Sequence, residues 1–154
     1  MIDERYSRRD VLKQGGALGA GLALANTGVL TARATERASA DRPLSIGFVG
    51  VGARGSCLLK ILLELKGIEI RALCDIREDR VTRAQRWVTQ AGQPEPPGYS
   101  RGETDFKRMC EREDLDLVMT ATPWQWHVPV CIAALEAGKH AATEVPAAVT
   151  LEEC

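Results

Sequence analysis

No two cysteines of this chain stand at a ligand or redox spacing. Cys57, Cys74, Cys110, Cys131 and Cys154 are scattered and form no CxxC, which argues against a disulfide frame and against a bound metal. Most of them fall at apolar positions of predicted elements and read as buried thiols. Neither sign of charge dominates: 20 Lys and Arg face 21 Asp and Glu, for a formal net charge of −1. Nucleic acid and anionic membrane surfaces are therefore not expected partners. No long, strongly apolar run is present either. The nearest candidate, Gln14 to Ala32, is glycine-rich and only moderately apolar, whereas a spanning helix takes about 20 strongly apolar residues. A stable membrane anchor is not expected. No internal repeat is visible, and 154 residues fit one domain.

What the first forty residues do contain is an address. Ser7-Arg8-Arg9-Asp10-Val11-Leu12-Lys13 sets twin arginines ahead of the uncharged stretch, in the manner of a twin-arginine export signal. Ala38-Ser39-Ala40 supplies small residues for cleavage, so residues 1–40 are expected to be the signal and 41–154 the mature domain. The bland alternative is a cytosolic amphipathic tail that happens to contain Arg-Arg. On the export reading the translocase of that pathway is a partner, and the mature protein is periplasmic or extracellular.

From Leu44 onward short apolar runs alternate with segments of helical period. Leu44 to Val49 and Ile68 to Cys74 suit inner strands of a parallel sheet, and Leu58, Leu59, Leu62 and Leu65 recur at helical spacing between them. Asp79 to Ala91 repeats the period with Val81, Ala84, Val88 and Ala91 on one face. Gly92 to Glu103, with Pro94, Pro96 and Pro97, is predicted to be a loop. A short helix over Asp105 to Glu111, a strand over Leu117 to Ala121, a helix over Val128 to Ala137 and a strand over His140 to Thr143 follow. In that last helix Val128, Cys131, Ile132 and Leu135 form the expected buried face. The alternation implies an α/β fold of Rossmann-like type, a doubly wound parallel sheet with helices on both faces. Leu151 to Cys154 reads as the beginning of a further helix, so the chain is expected to be truncated.

Gly50-Val51-Gly52-Ala53-Arg54-Gly55 lies between the first strand and the first helix. Each glycine has a separate task in a dinucleotide site: Gly50 for the tight turn, Gly52 for approach of the backbone to a pyrophosphate, Gly55 for helix-to-strand packing. A lone GxGxxG is weak, but this one has the strand before it, the helix after it and Asp75 at the end of the second strand, 20 residues beyond Gly55. Asp75 would accept from the adenosine ribose hydroxyls and repel a 2′-phosphate, which favours NAD over NADP. Arg77 and Arg80 stand nearby and temper that preference. As the plain alternative, Asp75 is a strand-end cap.

Thr122-Pro123-Trp124-Gln125-Trp126-His127 follows the third long strand, and Glu144-Val145-Pro146 follows the last. Ligands of open α/β sheets lie beyond the carboxyl ends of the strands, so both segments should face the crevice. Together with Gly138-Lys139-His140 they resemble the Gfo/Idh/MocA family, whose pattern runs Thr-Pro, His, Gly-Lys-His and Glu-Lys-Pro. The tryptophan pair and the Glu-Val-Pro-Ala-Ala sequence are similar to the glycoside hydrolase family 109 branch. That resemblance implies that Ala53, Arg54, Trp124, Gln125, Trp126, His127, Glu144 and Val145 contact NAD, with His127 in a binding rather than a catalytic role. Packing is the alternative for the tryptophans, and an exposed helix-face arginine the alternative for Arg54.

The family's oxidoreductases carry a lysine where Val145 stands, beside the nicotinamide and the substrate hydroxyl. Valine has no proton to exchange. The resemblance therefore implies a glycosidase of α-N-acetylgalactosaminidase type, in which NAD⁺ transiently oxidises the sugar, the aglycone is eliminated, water adds and the ketone is reduced again. A cofactor regenerated each cycle suits an exported enzyme, and the twin-arginine route carries folded, cofactor-loaded proteins. The alternatives are a sugar oxidoreductase without the usual lysine and an inactive nucleotide-binding fragment. The family also has a C-terminal α/β substrate domain, expected to be absent here with most of the glycoside site and the catalytic residues. A homo-oligomer is compatible with the sequence.

Overall fold

Five strands form one parallel sheet: β1 Leu44–Val49, β2 Ile68–Cys74, β3 Gly98–Tyr99, β4 Leu117–Thr120 and β5 His140–Thr143, in the order β3-β2-β1-β4-β5. The computed structural model describes residues 42–154, so the expected export signal lies outside the described residues. Among the described residues the helices are α1 Ala53–Glu64, α2 Glu78–Gln90, α3 Phe106–Cys110 and α4 His127–Glu136, with a 3₁₀ turn over Trp124–Trp126 before α4. None of the helices among the described residues is long and apolar enough to cross a membrane.

Alternation along the strands separates two cores, because successive side chains of a strand point to opposite faces. Ile46 and Phe48 of β1 pack with Leu59 of α1 and Val81, Ala84 and Val88 of α2. Val49 of the same strand points the other way and packs with Phe106 and Met109 of α3 and Val130 and Ala134 of α4. Helices thus cover both faces, as the strand–helix alternation predicted. Strand order turns back between β1 and β4, which opens a crevice at their carboxyl ends.

Four local expectations need correction. The Pro- and Gly-rich segment from 92 to 103 is not all loop, since Gly98–Tyr99 adds an edge strand to β2. The Leu73 N–H donates to the Pro97 carbonyl and the Asp75 N–H to Tyr99, both at 3.1 Å; backbone groups of β2 need partners, and composition does not report that need. In α4 the buried face is His127, Val130 and Ala134, while Ile132 and Leu135 are exposed. That helix is apolar nearly all round, so its period could not choose a face. Of the thiols, only Cys74 and Cys110 are buried; Cys131 is half-buried, and Cys57 and Cys154 are exposed. Leu65 and Ala91 are also exposed, each just past its helix end.

The segment after β5 begins no full helix, but it carries the mark of a helix start. The Val149 and Thr150 N–H groups donate to Glu153 Oε2 at 2.7 and 3.1 Å, and the Glu153 N–H donates to Thr150 Oγ1 at 3.3 Å. This is a reciprocal capping box.

Candidate functional site

The glycine turn is built as its spacing demands. Gly50 has φ +85°, and its N–H donates to the Cys74 carbonyl at 2.7 Å, tying the turn to β2. A Cβ on Gly50 would meet backbone atoms of Ala121 and Thr122 at 2.9 Å, and one on Gly55 would lie 1.8 Å from the Gly50 carbonyl oxygen. Neither neighbour can yield, because both are main chain. Gly52 differs: its added Cβ would meet only the end of the Arg80 side chain, at 3.3 Å. The space above Gly52 is therefore walled by a movable group. Gly52 is also the N-cap of α1, with no side-chain cap and no acidic residue in the first turn. The first N–H groups of that helix remain available to an anion.

Asp75 stands at the next corner and is only 6% exposed. Its Oδ2 accepts the Val51 N–H at 2.9 Å and its Oδ1 the Arg77 N–H at 3.0 Å. It is a strand-end cap, as the plain alternative has it, and also a wall of the cleft. A carboxylate has lone pairs to spare after two such bonds. Arg77 is held away by Asp79 through two contacts at 3.0 and 3.1 Å.

Gly50, Gly52, Ala53, Asp75 and Trp126 line one cleft of about 300 Å³. Trp126 is half-buried and meets Phe106 edge-on, with ring centroids 5.9 Å apart and planes at 70°. The tryptophan pair is thus divided: Trp126 serves packing and the cleft, whereas Trp124 is 61% exposed and Gln125 is also exposed. Arg54 reaches across from α1 to Glu144 at the end of β5, with Nη2 3.0 Å from Oε1. Val145 is 83% exposed, and the Val145–Pro146 peptide is cis.

His127 is placed differently from the expected cofactor contact. It is 1% exposed, with Nδ1 2.8 Å from the Pro146 carbonyl oxygen and Nε2 3.0 Å from that of Thr122. No ring nitrogen is left for a ribose. Its ring ties the turn after β4 to the segment after β5, and so positions the two stretches that flank the crevice.

Sequence reasoning passed over several lining residues. Phe106 and Val130 come from α3 and α4 and carry no local signal, since only packing brings them here. Cys74 also lines the cleft, and burial, followed by Asp105 and Asp75, pushes its thiol up to about 12. It is a neutral wall, not a nucleophile. Among the described residues no group of His, Cys, Asp or Glu is arranged to hold a metal ion.

Residues 44–154 match the family model described as "Oxidoreductase family, NAD-binding Rossmann fold", GFO_IDH_MocA. The chain belongs to the Gfo/Idh/MocA family. Within it, a glycosyl hydrolase family 109 protein of Saccharopolyspora erythraea is 41% identical over 96% of this chain and 35% of its own length. An alpha-N-acetylgalactosaminidase of Bacteroides fragilis is 49% identical over 71% of this chain and 25% of its own. The chain thus spans about a third or less of these relatives. Among solved structures, scyllo-inositol dehydrogenase of Lactobacillus casei with NAD(H) and scyllo-inositol has a TM-score of 0.62 at 24% identity, over 73% of this chain and 31% of that one. Myo-inositol dehydrogenase of the same organism, with NAD(H) and myo-inositol, has a TM-score of 0.61 at 27% identity, over 72% and 31%.

The family's cofactor fits the residues present. An uncapped helix start, a glycine whose only near neighbour is a flexible side chain and a carboxylate on the cleft wall together suit a dinucleotide. NAD is the cofactor of this Gfo/Idh/MocA domain.

Proposed function

We propose that this domain is the nucleotide half of an exported glycosidase resembling the α-N-acetylgalactosaminidases of glycoside hydrolase family 109. The observation that carries the reading is Val145, which follows Glu144 just after β5, in the slot where the family resemblance implies a lysine for an oxidoreductase. The relatives that bear glycosidase names support it. Gly50, Gly52, Ala53 and Arg54 would hold the diphosphate and Asp75 the adenosine ribose. Trp124, Gln125, Trp126, Glu144 and Val145 are assigned to the nicotinamide half, with Gly55 and His127 holding the frame. Bound NAD⁺ supplies reversible oxidation of a sugar hydroxyl. The sugar site and the acid/base side chains are assigned to the substrate domain of the family. Export by the twin-arginine route rests on Arg8 and Arg9.

The test is an assay of p-nitrophenyl α-N-acetylgalactosaminide with the protein that joins this domain to a family substrate domain. Release of nitrophenol without added NAD and without NADH accumulating is the expected result. Activity seen only with net NADH production would replace this reading by a sugar oxidoreductase. The 154-residue chain alone is expected to release no nitrophenol. Arg8→Lys together with Arg9→Lys should keep a tagged precursor in the cytoplasm, and unchanged export would remove the signal from the proposal.

A further inference from the structure

Val51, the middle residue of the Gly50-Val51-Gly52 turn, is fully buried and held at both polar groups of its backbone. Its N–H donates to Asp75 Oδ2 at 2.9 Å. Its carbonyl oxygen accepts from Ser56 Oγ, one turn into α1, at 3.0 Å. Arg83 Nη2 of α2 lies 3.5 Å from the same oxygen, at the outer limit of a hydrogen bond. The Ser56 hydroxyl is therefore the closer hold on that oxygen, and it belongs neither to the glycine motif nor to the cleft wall.

The Val51–Gly52 peptide is trans, the cis bond among the described residues being Val145–Pro146. In a planar trans peptide the carbonyl and the N–H that follows it point opposite ways. Fixing the Val51 oxygen against α1 therefore turns the Gly52 N–H away from that helix. Gly52 lines the cleft, and its N–H meets no acceptor among the described residues. Such a group is a donor open to a ligand. Glycine at 52 does little by itself to keep the peptide from turning over, since it tolerates either sign of φ; the restraint has to come from what grips the oxygen. We propose that Ser56 is a positioning residue of the nucleotide site, which holds the Val51–Gly52 peptide so that the Gly52 N–H stays presented to the diphosphate. The inference rests on the nucleotide-binding reading of the cleft and adds to it a residue outside the glycine motif.

The experiment is a fluorescence titration of the complete chain with NADH, and with ADP and adenosine as competitors, for wild type, S56A, S56T and S56V, with circular dichroism to check the fold. NADH and ADP carry the diphosphate; adenosine does not. S56A and S56V should weaken NADH and ADP about three- to tenfold and leave adenosine within about twofold of wild type. S56T keeps the hydroxyl and should bind NADH within about twofold of wild type. Threonine and valine share a shape, so that pair decides the matter if S56A does not fold. Equal losses for adenosine and ADP, or a valine variant that binds NADH as the threonine variant does, would overturn the positioning role and leave the NAD reading intact. Failure of NADH and ADP to bind wild type would remove that reading and the positioning role with it.

Discussion

Gly52 and Gly55 belong to one motif and make opposite predictions. A methyl group at 55 would fall 1.8 Å from a main-chain oxygen, so Gly55→Ala should cost about 3 kcal/mol or more in a urea titration. At 52 the methyl meets only the end of Arg80, so Gly52→Ala should leave the unfolding midpoint nearly unchanged and weaken NADH binding. Equal destabilisation by both would show that the motif is structural throughout. The two deeply buried thiols make a third residue-scale prediction. Burial raises Cys74 from 9.0 to about 12 and Cys110 from 9.0 to about 11. Their folded values lie above the unfolded one, so the stability they contribute is complete below pH 9 and is lost as pH rises toward 11 and 12. Unfolding free energy should therefore fall above pH 9, and a Cys74→Ala, Cys110→Ala double variant should show a shallower fall.

At the scale of elements, the β2 edge is completed by devices that composition hides. Beyond the two residues of β3, the Gln93 side chain continues the ladder: its Oε1 accepts the Ile70 N–H at 2.8 Å and its Nε2 donates to the Ile68 carbonyl at 3.1 Å. The carboxamide reproduces one step of a neighbouring strand. Gln93→Ala should cost about 1 to 2 kcal/mol in thermal or urea unfolding, and faster amide exchange at Ile70 would place the loss at this edge. The inner strands β1, β2 and β4 were legible because buried parallel strands are short apolar runs between turn residues. The edge strand β3 was not, since two residues held by backbone bonds need no hydrophobic pattern. The faces of α1 and α2 could be read from polar residues opposite their apolar stripes; α4, apolar on most sides, offered no such contrast.

For the whole molecule, exposed apolar side chains gather in the segment after β5. Val145, Val149 and Leu151 are all exposed, Leu151 to 89%. Surface of this kind marks a contact or an aggregation liability. The complete chain should self-associate as its concentration rises in sedimentation velocity, and Leu151→Ser with Val149→Ser should reduce that association. No change would show that the segment is harmless in solution.

The candidate site was legible to the extent that it follows from positions along strands. A glycine turn after β1, an acid after β2 and polar or aromatic stretches after β4 and β5 must converge in a parallel sheet, because all carboxyl ends point one way. Sequence alone therefore determined the fold class, the nucleotide cleft and the family pattern, through spacing and backbone demands that are local. Tertiary structure decided what depends on packing across the sheet. It divided Trp126 from Trp124, turned the His127 ring onto two carbonyls, joined Arg54 to Glu144 across 90 residues and set Arg80 beside Asp75. Those partners come from different elements, and only the folded sheet brings their side chains within reach of one another.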